Sequence, residues 1–274
     1  MRDGGRVIGR FYLDMHPRAN KFQHFQSSTL RVGVSGRQLP EVVLLCNFSN
    51  PGDGPALMDR SQAEMFFHEF GHLLHSIFSG RQRWAGAEAG IARDFDEAPS
   101  QLLEEWFRNP EVLVRFTRHY QTGQPMPIAL AKKLVLAAQF GKGIAARHTL
   151  ALSWALLDLH DDAEPETDAA EVFRRHYQRL GLPLVEGSHM EETVTHMGAR
   201  SYAAAYYTYL WSLVIAKDLL TRFDSKNLLS PAVAMELRRK ILEKGGIEPS
   251  GKLVEDFLGR PFNEKAYQHW LAPN

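Results

Sequence analysis

The sequence predicts a mainly α-helical fold with a small β-sheet at its N-terminus. Before residue 50, β-branched and aromatic residues are concentrated in three short runs, whereas after residue 60 the apolar residues recur with a helical period of about 3.6. The 274 residues are 44% hydrophobic and 11% aromatic, which is enough to build a sizeable core. Because no internal repeat or low-complexity segment divides the chain, we expect one domain over residues 1–274.

Three strands are expected in the first 50 residues. The run from Arg6 to Met15 is rich in β-branched and aromatic side chains, and a weaker run covers Thr29 to Val34. Four consecutive apolar residues within Glu41 to Phe48 indicate a strand that is buried on both faces. The proline and glycine cluster from Asn50 to Pro55 then predicts a loop.

A capped helix follows this loop. Ser61 and Glu64 have the spacing of a capping box, in which two side chains bind the free amides at a helix start. The helix is expected from about Ser61 to Phe78, and it carries the string Phe67-His68-Glu69-Phe70-Gly71-His72 in its middle. A site built in the middle of a helix is rigid, as a metal site requires.

The rest of the chain predicts further helices. Gly80 to Gly90 is expected to form a loop, and a second helix is expected near Asp96, with Pro99 in its first turn. Asn109-Pro110 has the N-cap and first-position residues that begin another helix. Later helical periods are expected at about residues 128–139, 142–160, 168–180, 201–223, 231–244, 252–258 and 263–271.

Composition excludes several classes of function. Lysine plus arginine equal aspartate plus glutamate at 32 each, so no net charge attracts nucleic acid or an acidic membrane. The single cysteine, Cys46, excludes an internal disulfide and fits a reducing compartment. No apolar run approaches the roughly 18 to 20 residues that span a bilayer, and residues 1–6 are not followed by a signal-peptide core. We therefore expect a cytoplasmic protein without nucleic-acid or membrane partners.

The string around His68 favours a metal site. His68 and His72 are four positions apart, so both imidazoles lie on one helix face, as two nitrogen ligands of one zinc ion do. Glu69 lies next to this face, where a carboxylate can take a proton from zinc-bound water. With twelve histidines in the chain, chance pairs at this spacing are common, and most are surface or core residues. A His-Glu-x-x-His string is much rarer than such a pair.

A zinc site of this type needs a third protein ligand and an open position. Glu97 begins a helix that can fold back on the first one, although an acidic residue there also simply favours the positive helix end. His75, one turn beyond His72, is an alternative ligand on the same face. Gln101 and Glu104 are expected either to hold the histidine ring nitrogens or to serve surface and packing roles.

Two linked motifs carry a resemblance to a known family. His68-Glu69-Phe70-Gly71-His72, followed by Asp94-Phe95-x-Glu97-Ala98-Pro99-Ser100-Gln101, resembles the thimet oligopeptidase family of zinc metallopeptidases, which includes neurolysin, mitochondrial intermediate peptidase and oligopeptidase A. The resemblance implies that Glu97, 29 positions after His68 (97 − 68 = 29), is the third zinc ligand. It also implies a zincin-like helical catalytic domain that holds one zinc ion per chain.

The resemblance covers essentially the whole chain. Upstream it includes Gly9 to Asp14 and Cys46 to Phe48, and downstream it includes His196, Tyr202 to Trp211 and Phe257 to Arg260. Only the C-terminal part of the family pattern is matched, because full members are more than twice as long. Their N-terminal helical portion forms the other wall of a deep channel.

A tyrosine-rich segment is expected to form one stripe on a helix. Tyr202, Tyr206, Tyr209 and Leu213 are spaced by four, three and four positions. Phenols on such a stripe are more often core or interface aromatics than catalysts. Peptide hydrolysis through a zinc hydroxide, however, needs a donor for the oxyanion that develops on the scissile carbonyl, and a phenol can be that donor.

The resemblance assigns roles within this segment. It implies that Tyr209 is the transition-state donor, that Tyr206 lies beside it, and that His196 and Tyr202 contact the substrate backbone. Arg200-Ser201 stands where the family usually has a glycine pair that lets the loop flex. We therefore expect altered specificity or slower closure over a substrate.

These observations together predict a zinc-dependent metalloendopeptidase of short peptides. Glu69 would activate the zinc-bound water, and nothing resembles an activated serine or cysteine nucleophile. A chain that lacks the other channel wall would expose apolar surface and is expected to form a homo-oligomer. The main alternative is a zinc-binding, peptide-binding module or weakly active remnant. A different His-Glu-x-x-His hydrolase, such as an aminopeptidase, would need an acidic anchor for the substrate amine, which the sequence does not identify.

Overall fold

The fold is mainly helical, with short strands confined to the N-terminal part. The computed structural model describes residues 1–50, 52, 54–86, 90–161, 167–185, 187–199 and 202–272. Within these ranges the strands are β1 (Arg2–Asp3), β2 (Arg6–Val7), β3 (Arg10–Asp14), β4 (Gln26–Arg31) and β5 (Glu41–Leu45). The helices are α1 (Arg60–Ser79), α2 (Ala98–Phe107), α3 (Pro110–Phe116), α4 (Ile128–Ala137), α5 (Lys142–Asp158), α6 (Ala169–Arg179), α7 (Thr208–Leu220), α8 (Pro231–Leu237), α9 (Ser250–Leu258) and α10 (Lys265–Leu271). The predicted fold class is confirmed.

β5 is the central strand of a three-stranded sheet. It pairs in parallel with β3 and antiparallel with β4, which leaves β4 as an edge strand. Val42 and Leu44 point to one face of β5 and are fully buried in a cluster with Leu73 and Ile77 of α1. The other face of β5 is only partly buried, so the prediction of a strand buried on both faces is half right.

The structure corrects the first two predicted strands. The run from Arg6 to Met15 is divided into β2 and β3 at Ile8 and Gly9. A Cβ atom on Gly9 would lie 2.8 Å from Cγ2 of Ile77, so the chain needs glycine where it passes closest to α1. β4 lies at residues 26–31 rather than 29–34, because its polar side chains hide the strand from a hydrophobic pattern.

α1 begins at a different cap from the predicted one. The side chain of Asp59 accepts a hydrogen bond from the Gln62 amide at 2.8 Å, and the Gln62 side chain accepts one from the Asp59 amide at 3.2 Å. The predicted box of Ser61 and Glu64 is therefore wrong. The Ser61 hydroxyl donates to Asp59 instead, at 2.7 Å, which reinforces the same cap.

α1 and α2 pack against each other at very short range. A Cβ atom on Gly71 would lie only 2.5 Å from the Cα of Ser100, so this contact admits no side chain on α1. α2 begins at Ala98, two residues later than expected, after a 3₁₀ turn at Arg93–Phe95. Pro99 lies in its first turn as predicted. The Asn109 cap of α3 is confirmed, since its side chain accepts from the next two amides at 2.9 and 3.2 Å.

The predicted helix over 201–223 is shorter in the structure. Residues 202–207 form turns, and α7 covers only Thr208–Leu220. The predicted 231–244 helix is divided into α8 and a π-helical turn at Arg238–Leu242. Pro51, Asp53 and residues 87–89 of the two expected loops lie outside the described residues, as does Arg200-Ser201.

The largest buried cluster joins α2, α7 and α9. Its fully enclosed side chains include Phe95, Leu102, Leu219 and Phe257. Because α2 and α7 share this core, residues on the two helices keep a fixed relation to each other. Among the described residues, no helix combines the length and the apolar character needed to cross a membrane.

Candidate metal centre and active site

Three side chains that the sequence predicts as zinc ligands come together between α1 and α2. The Nε2 atoms of His68 and His72 each lie 3.2 Å from the same oxygen of Glu97, Oε2. One potential ligand atom from each of the three lies within 4.8 Å of the other two. Glu97 is 1% exposed and His68 is 8% exposed, whereas the His72 side chain is 20% exposed, so the cluster is largely shielded and open to the cleft at His72.

Glu104 determines which nitrogen of His68 faces this cluster. Its Oε1 atom lies 2.7 Å from Nδ1 of His68, and a carboxylate accepts, so Nδ1 carries the proton. The lone pair of His68 is then on Nε2, the atom that faces Glu97. Of the two roles expected for Glu104 and Gln101, the contact with a histidine ring nitrogen is confirmed for Glu104. Gln101 has the alternative packing role, since its Nε2 donates to the Tyr209 carbonyl at 2.8 Å.

The electrostatics of the cluster favour bound positive charge. Burial disfavours the charged form of each group, yet hydrogen bonds with Glu104 and Glu97 outweigh it and raise the pKa of His68. The pKa of His72 is raised against burial by Glu97, and the two imidazoles lower the pKa of Glu97 against burial in the same way. Two imidazole nitrogens and one carboxylate that attract positive charge in a shielded site are a donor set that fits Zn²⁺.

His75 is not part of this cluster. It is buried and packs its ring edge against Phe95, with ring centroids 6.4 Å apart. Burial, with the nearby charge of His72, lowers the pKa of His75 to about 3, so its ring is neutral. The structure does not bring this alternative ligand to the three predicted ones.

Glu69 is held beside the cluster by the sheet. Its Oε2 atom accepts a hydrogen bond from the backbone amide of Ser27, on edge strand β4, at 2.7 Å. One carboxylate oxygen is thereby fixed, and Glu69 lines the same cleft as His68 and His72. Sequence reasoning missed Ser27, because a backbone amide leaves no signal in a side-chain pattern.

His196 and three tyrosines form an aromatic cluster against the other side of Glu97. The Tyr202 hydroxyl donates to Oε1 of Glu97 at 2.8 Å, and Nε2 of His196 lies 3.1 Å from the Tyr209 hydroxyl. The His196 ring centroid lies 5.1 to 5.7 Å from those of Tyr202, Tyr206 and Tyr209. The predicted stripe on one helix is wrong, since of the three tyrosines only Tyr209 lies in α7. Tertiary contacts, rather than helical spacing, bring the three phenols together.

The phenols in this cluster remain protonated. Burial, followed by the charge of Glu97, raises the pKa of Tyr209 far above its usual value. The same two causes raise the pKa of Tyr202. Burial lowers the pKa of His196, so its ring is neutral. Tyr209 therefore keeps its hydroxyl proton, and its role as the transition-state donor stays a prediction.

A cleft of about 1,600 Å³ joins all of these groups. The residues that line it come from β4 and the segment before it, from α1, from α2 and the residue that caps it, from the aromatic cluster and from the start of α5. Its lining includes Phe22, Phe25, Ser27, His68, Glu69, His72, Glu97, Lys142, Thr149, His196, Tyr202, Tyr206 and Tyr209.

Comparisons with known proteins find relatives over nearly the whole chain. Peptidase family M3 matches residues 1–272. Oligopeptidase A of Escherichia coli (strain K12) is 31% identical over 268 residues, which cover 94% of this chain and 39% of that protein. The thimet-like oligopeptidase of Dictyostelium discoideum is 30% identical over 276 residues, covering 97% of this chain and 41% of that protein.

A solved structure shares the fold. The carboxypeptidase of Pyrococcus furiosus superposes with a TM-score of 0.62 at 17% identity, over 98% of this chain and 55% of that one. The chain spans about two fifths of the length of the curated relatives it matches. The match over nearly every residue confirms the resemblance read from the two motifs: the chain belongs to peptidase family M3.

Proposed function

We propose that this chain is a zinc-dependent metallopeptidase of the thimet oligopeptidase type that hydrolyses peptide bonds in short peptides. The observation that carries the proposal is the position of His68 and His72, whose Nε2 atoms both lie 3.2 Å from Oε2 of Glu97. Glu69 and Tyr209 line the same cleft, so a base and a hydroxyl donor face one reaction site.

His68, His72 and Glu97 would hold the zinc ion in this proposal. When bound there, zinc supplies a Lewis acid that polarises the scissile carbonyl and makes water more acidic. The protein prepares its ligands for this role. Glu104 keeps the lone pair of His68 on Nε2, and the Tyr202 hydroxyl occupies Oε1 of Glu97, so that Oε2 is directed to the histidines.

Glu69 is the proposed general base. The Ser27 amide fixes Oε2, so we assign the proton of the attacking water to Oε1. Once the tetrahedral intermediate has formed, the protonated Glu69 returns that proton to the leaving amine. No covalent intermediate is needed, and Cys46 cannot supply one, because it is buried and burial raises the pKa of its thiol to about 12.

Tyr209 is the proposed donor to the developing oxyanion. Its hydroxyl lies 3.1 Å from the neutral His196 ring, which orients it within the cleft. Such a donor strengthens its hydrogen bond as negative charge develops on the carbonyl oxygen. We assign Tyr202 to the support of Glu97, because its hydroxyl is already directed to that carboxylate. Tyr206 packs beside Tyr209, with ring centroids 5.1 Å apart, and is proposed to line the substrate site with His196.

The cleft supports a peptide as the substrate class. Its volume of about 1,600 Å³ exceeds the roughly 300 to 1,000 Å³ that is usual for small-molecule sites. An extended peptide of several residues would use such a space. Residues of the edge strand β4 line the cleft, and a peptide could pair with backbone groups of that strand.

A hydrolysis assay tests the proposal. Purified protein is incubated with a mixture of quenched fluorescent peptides, with and without a zinc chelator, and then with added zinc. We expect cleavage that the chelator abolishes and zinc restores. His72→Ala should lose both zinc and activity, whereas His119→Ala, an exposed histidine stacked on Tyr120, should retain both. Absence of chelator-sensitive cleavage at every zinc loading would overturn the peptidase assignment.

A second candidate is a zinc-dependent peptide-binding module with little turnover. The observation that favours it is the cleft of about 1,600 Å³, which can hold a peptide whether or not the peptide is cleaved. Fluorescence anisotropy of labelled peptides distinguishes the two candidates. Zinc-dependent binding of peptides that are recovered intact supports the module, and cleaved peptides support the enzyme.

A further inference from the structure

A largely buried set of ion pairs, in which the three carboxylate side chains are 13 to 15% exposed, lies behind His68. The guanidinium of Arg108 contacts three carboxylates, one through each of its nitrogens: Nε lies 2.6 Å from Glu64, Nη2 lies 2.6 Å from Glu104, and Nη1 lies 2.7 Å from Glu105. Glu104 is the residue whose other oxygen accepts from Nδ1 of His68. The position of Glu104 therefore depends on how Arg108 divides its contacts among the three carboxylates. The position of His68 depends on it as well, because Glu104 holds that ring.

Lys217 of α7 completes this set. Its Nζ atom lies 2.6 Å from Oε1 of Glu105, the same oxygen that Arg108 contacts. The Lys217 side chain is only 4% exposed, and its Nζ lies 4.5 Å from the centroid of the Trp270 ring. A buried lysine is costly unless its charge is matched, so this contact is a specific one.

The set is balanced in charge when His68 is neutral. It contains three carboxylates and three cations, Glu64, Glu104, Glu105, Arg60, Arg108 and Lys217. Loss of one cation leaves a carboxylate uncompensated in a shielded place. Without Lys217, Glu105 would compete with Glu104 for Arg108.

α2 and α7 are joined at two points along the same stretch. Gln101 donates to the Tyr209 carbonyl at 2.8 Å, and one helical turn later Glu105 contacts Lys217. α7 thus carries Tyr209 near one end and Lys217, which contacts the ion-pair set, near the other end. A shift of α7 would disturb the hydroxyl donor and the support of His68 together.

We propose that Lys217 is a positioning residue for the metal site. It holds Glu105, leaves Arg108 free to fix Glu104, and through Glu104 sets the orientation and the protonated nitrogen of His68. The inference rests on the proposed function, because it concerns His68 as a zinc ligand. Sequence reasoning places Lys217 merely within a predicted helix, 149 positions after His68 (217 − 68 = 149).

The test is the zinc affinity of the full chain, measured by competition with a chromophoric chelator. Lys217→Met is expected to weaken zinc binding about 10-fold, at the lower end of the range for outer-shell changes. The double variant Lys217→Met/Glu105→Gln removes both charges and should return the affinity to within about twofold of wild type. The visible spectrum of the Co²⁺-loaded protein should change in the single variant and recover in the double one.

A matched control separates positioning from loss of stability. Lys21 is a second buried lysine, with a 2% exposed side chain, and it pairs with Asp14 at 3.0 Å in the N-terminal region. Lys21→Met is expected to lower the melting temperature while leaving zinc affinity unchanged. Lys217→Gln, which removes the charge but keeps a hydrogen-bond donor, gives the same comparison if the methionine variant does not fold.

Removal of Lys217 can change zinc affinity in either direction. If Lys217 acted only by electrostatic repulsion of the zinc ion, its removal would tighten zinc binding, because a positive charge near a dication would be lost. Unchanged or tighter binding in folded Lys217→Met, or a loss that the double variant does not reverse, would overturn the positioning role. Failure of the wild-type protein to bind zinc would overturn the proposed function itself.

Discussion

At the scale of single residues, each group in the site is held at one end so that its other end is directed to the reaction. The Nδ1 atom of His68 is occupied by Glu104, Oε1 of Glu97 by Tyr202, and Oε2 of Glu69 by the Ser27 amide. A ligand or base whose orientation is fixed before the substrate arrives loses less freedom during the reaction. A substitution can therefore change the atom that reacts and leave the zinc ligands as they are.

Glu69→Gln separates the proton transfer from the metal site. Glutamine retains an oxygen for the Ser27 amide but cannot take a proton from water. We expect unchanged zinc content and a kcat lower by about 10²- to 10⁴-fold. Zinc is measured by elemental analysis and kcat with the quenched peptides. Activity within tenfold of wild type would show that another residue is the base.

Tyr209→Phe removes the proposed oxyanion donor alone. The hydroxyl contacts His196 and no predicted zinc ligand directly, so zinc affinity should stay within about twofold. Loss of such a donor is expected to lower kcat by about 10²- to 10³-fold. Tyr207→Phe is the matched control, because that neighbouring phenol is exposed and lies outside the cleft lining. Equal kcat values for the two variants would contradict the assignment.

At the scale of elements, the close approach of α1 and α2 determines the distance between the histidines and Glu97. Gly71 lies one position before His72, and a Cβ atom there would meet the Ser100 backbone at 2.5 Å. α1 carries the two histidines, and Glu97 is the residue that immediately precedes α2. The separation of the two helices is therefore as important to the site as the ligands themselves.

Gly71→Ala tests the importance of this separation. The added methyl group must push α2 away from α1, which is expected to destabilise the protein by about 1 to 3 kcal/mol and to weaken zinc binding. Gly143→Ala, within α5, meets no atom within 4 Å and should be neutral or stabilising by up to about 1 kcal/mol. Urea unfolding measures the free energies. Equal stability of the two variants would contradict the proposed close contact.

The elements were predictable where local pattern decides them. α1 and the Asn109 cap of α3 follow from periodicity and from side chains adjacent in sequence. The α1 cap was misassigned, since Asp59-Gln62 and Ser61-Glu64 both fit local capping rules and only the structure shows which pair is used. The turns at 202–207 could not be predicted, because the contact of Tyr202 with Glu97 joins residues 105 positions apart.

The sequence predicts the residues that form the candidate site, but not the residues that hold them in position. His68, Glu69, His72 and Glu97 were all identified from two motifs, and the structure places them around one cleft. Ser27 and Lys217 gave no such signal. The first acts through its backbone, and the second is an ordinary helical lysine until folding buries it against Glu105.

At the scale of the whole molecule, apolar side chains are exposed near the junction of α4 and α5. Phe140 is 93% exposed, and Leu136 and Ile144 on either side of it are also exposed. A contiguous exposed apolar patch marks an interaction surface, whereas single exposed apolar residues are normal. We predict that the self-association expected from the sequence uses this region.

Light scattering over a range of concentrations tests that assignment. We expect the average mass to rise with concentration and to remain lower in the double variant Leu136→Ser/Ile144→Ser. Val185→Ser changes an exposed apolar residue outside this region and should leave the association unaltered. A strictly monomeric wild-type protein at all concentrations would contradict self-association.

The predicted ligands and Tyr209 are synthesised at different times, because they lie far apart along the chain. All three predicted ligands lie within residues 68–97, whereas Tyr209 follows Glu97 by 112 positions (209 − 97 = 112). At translation rates of about 5 to 20 residues per second, this interval lasts on the order of ten seconds. Because Ala98 and Leu102 of α2 are buried in a cluster that α7 and α9 complete, the packing around Glu97 is finished only when these later helices have been made. The predicted ligands are therefore synthesised early, whereas the helix contacts that fix their positions form late.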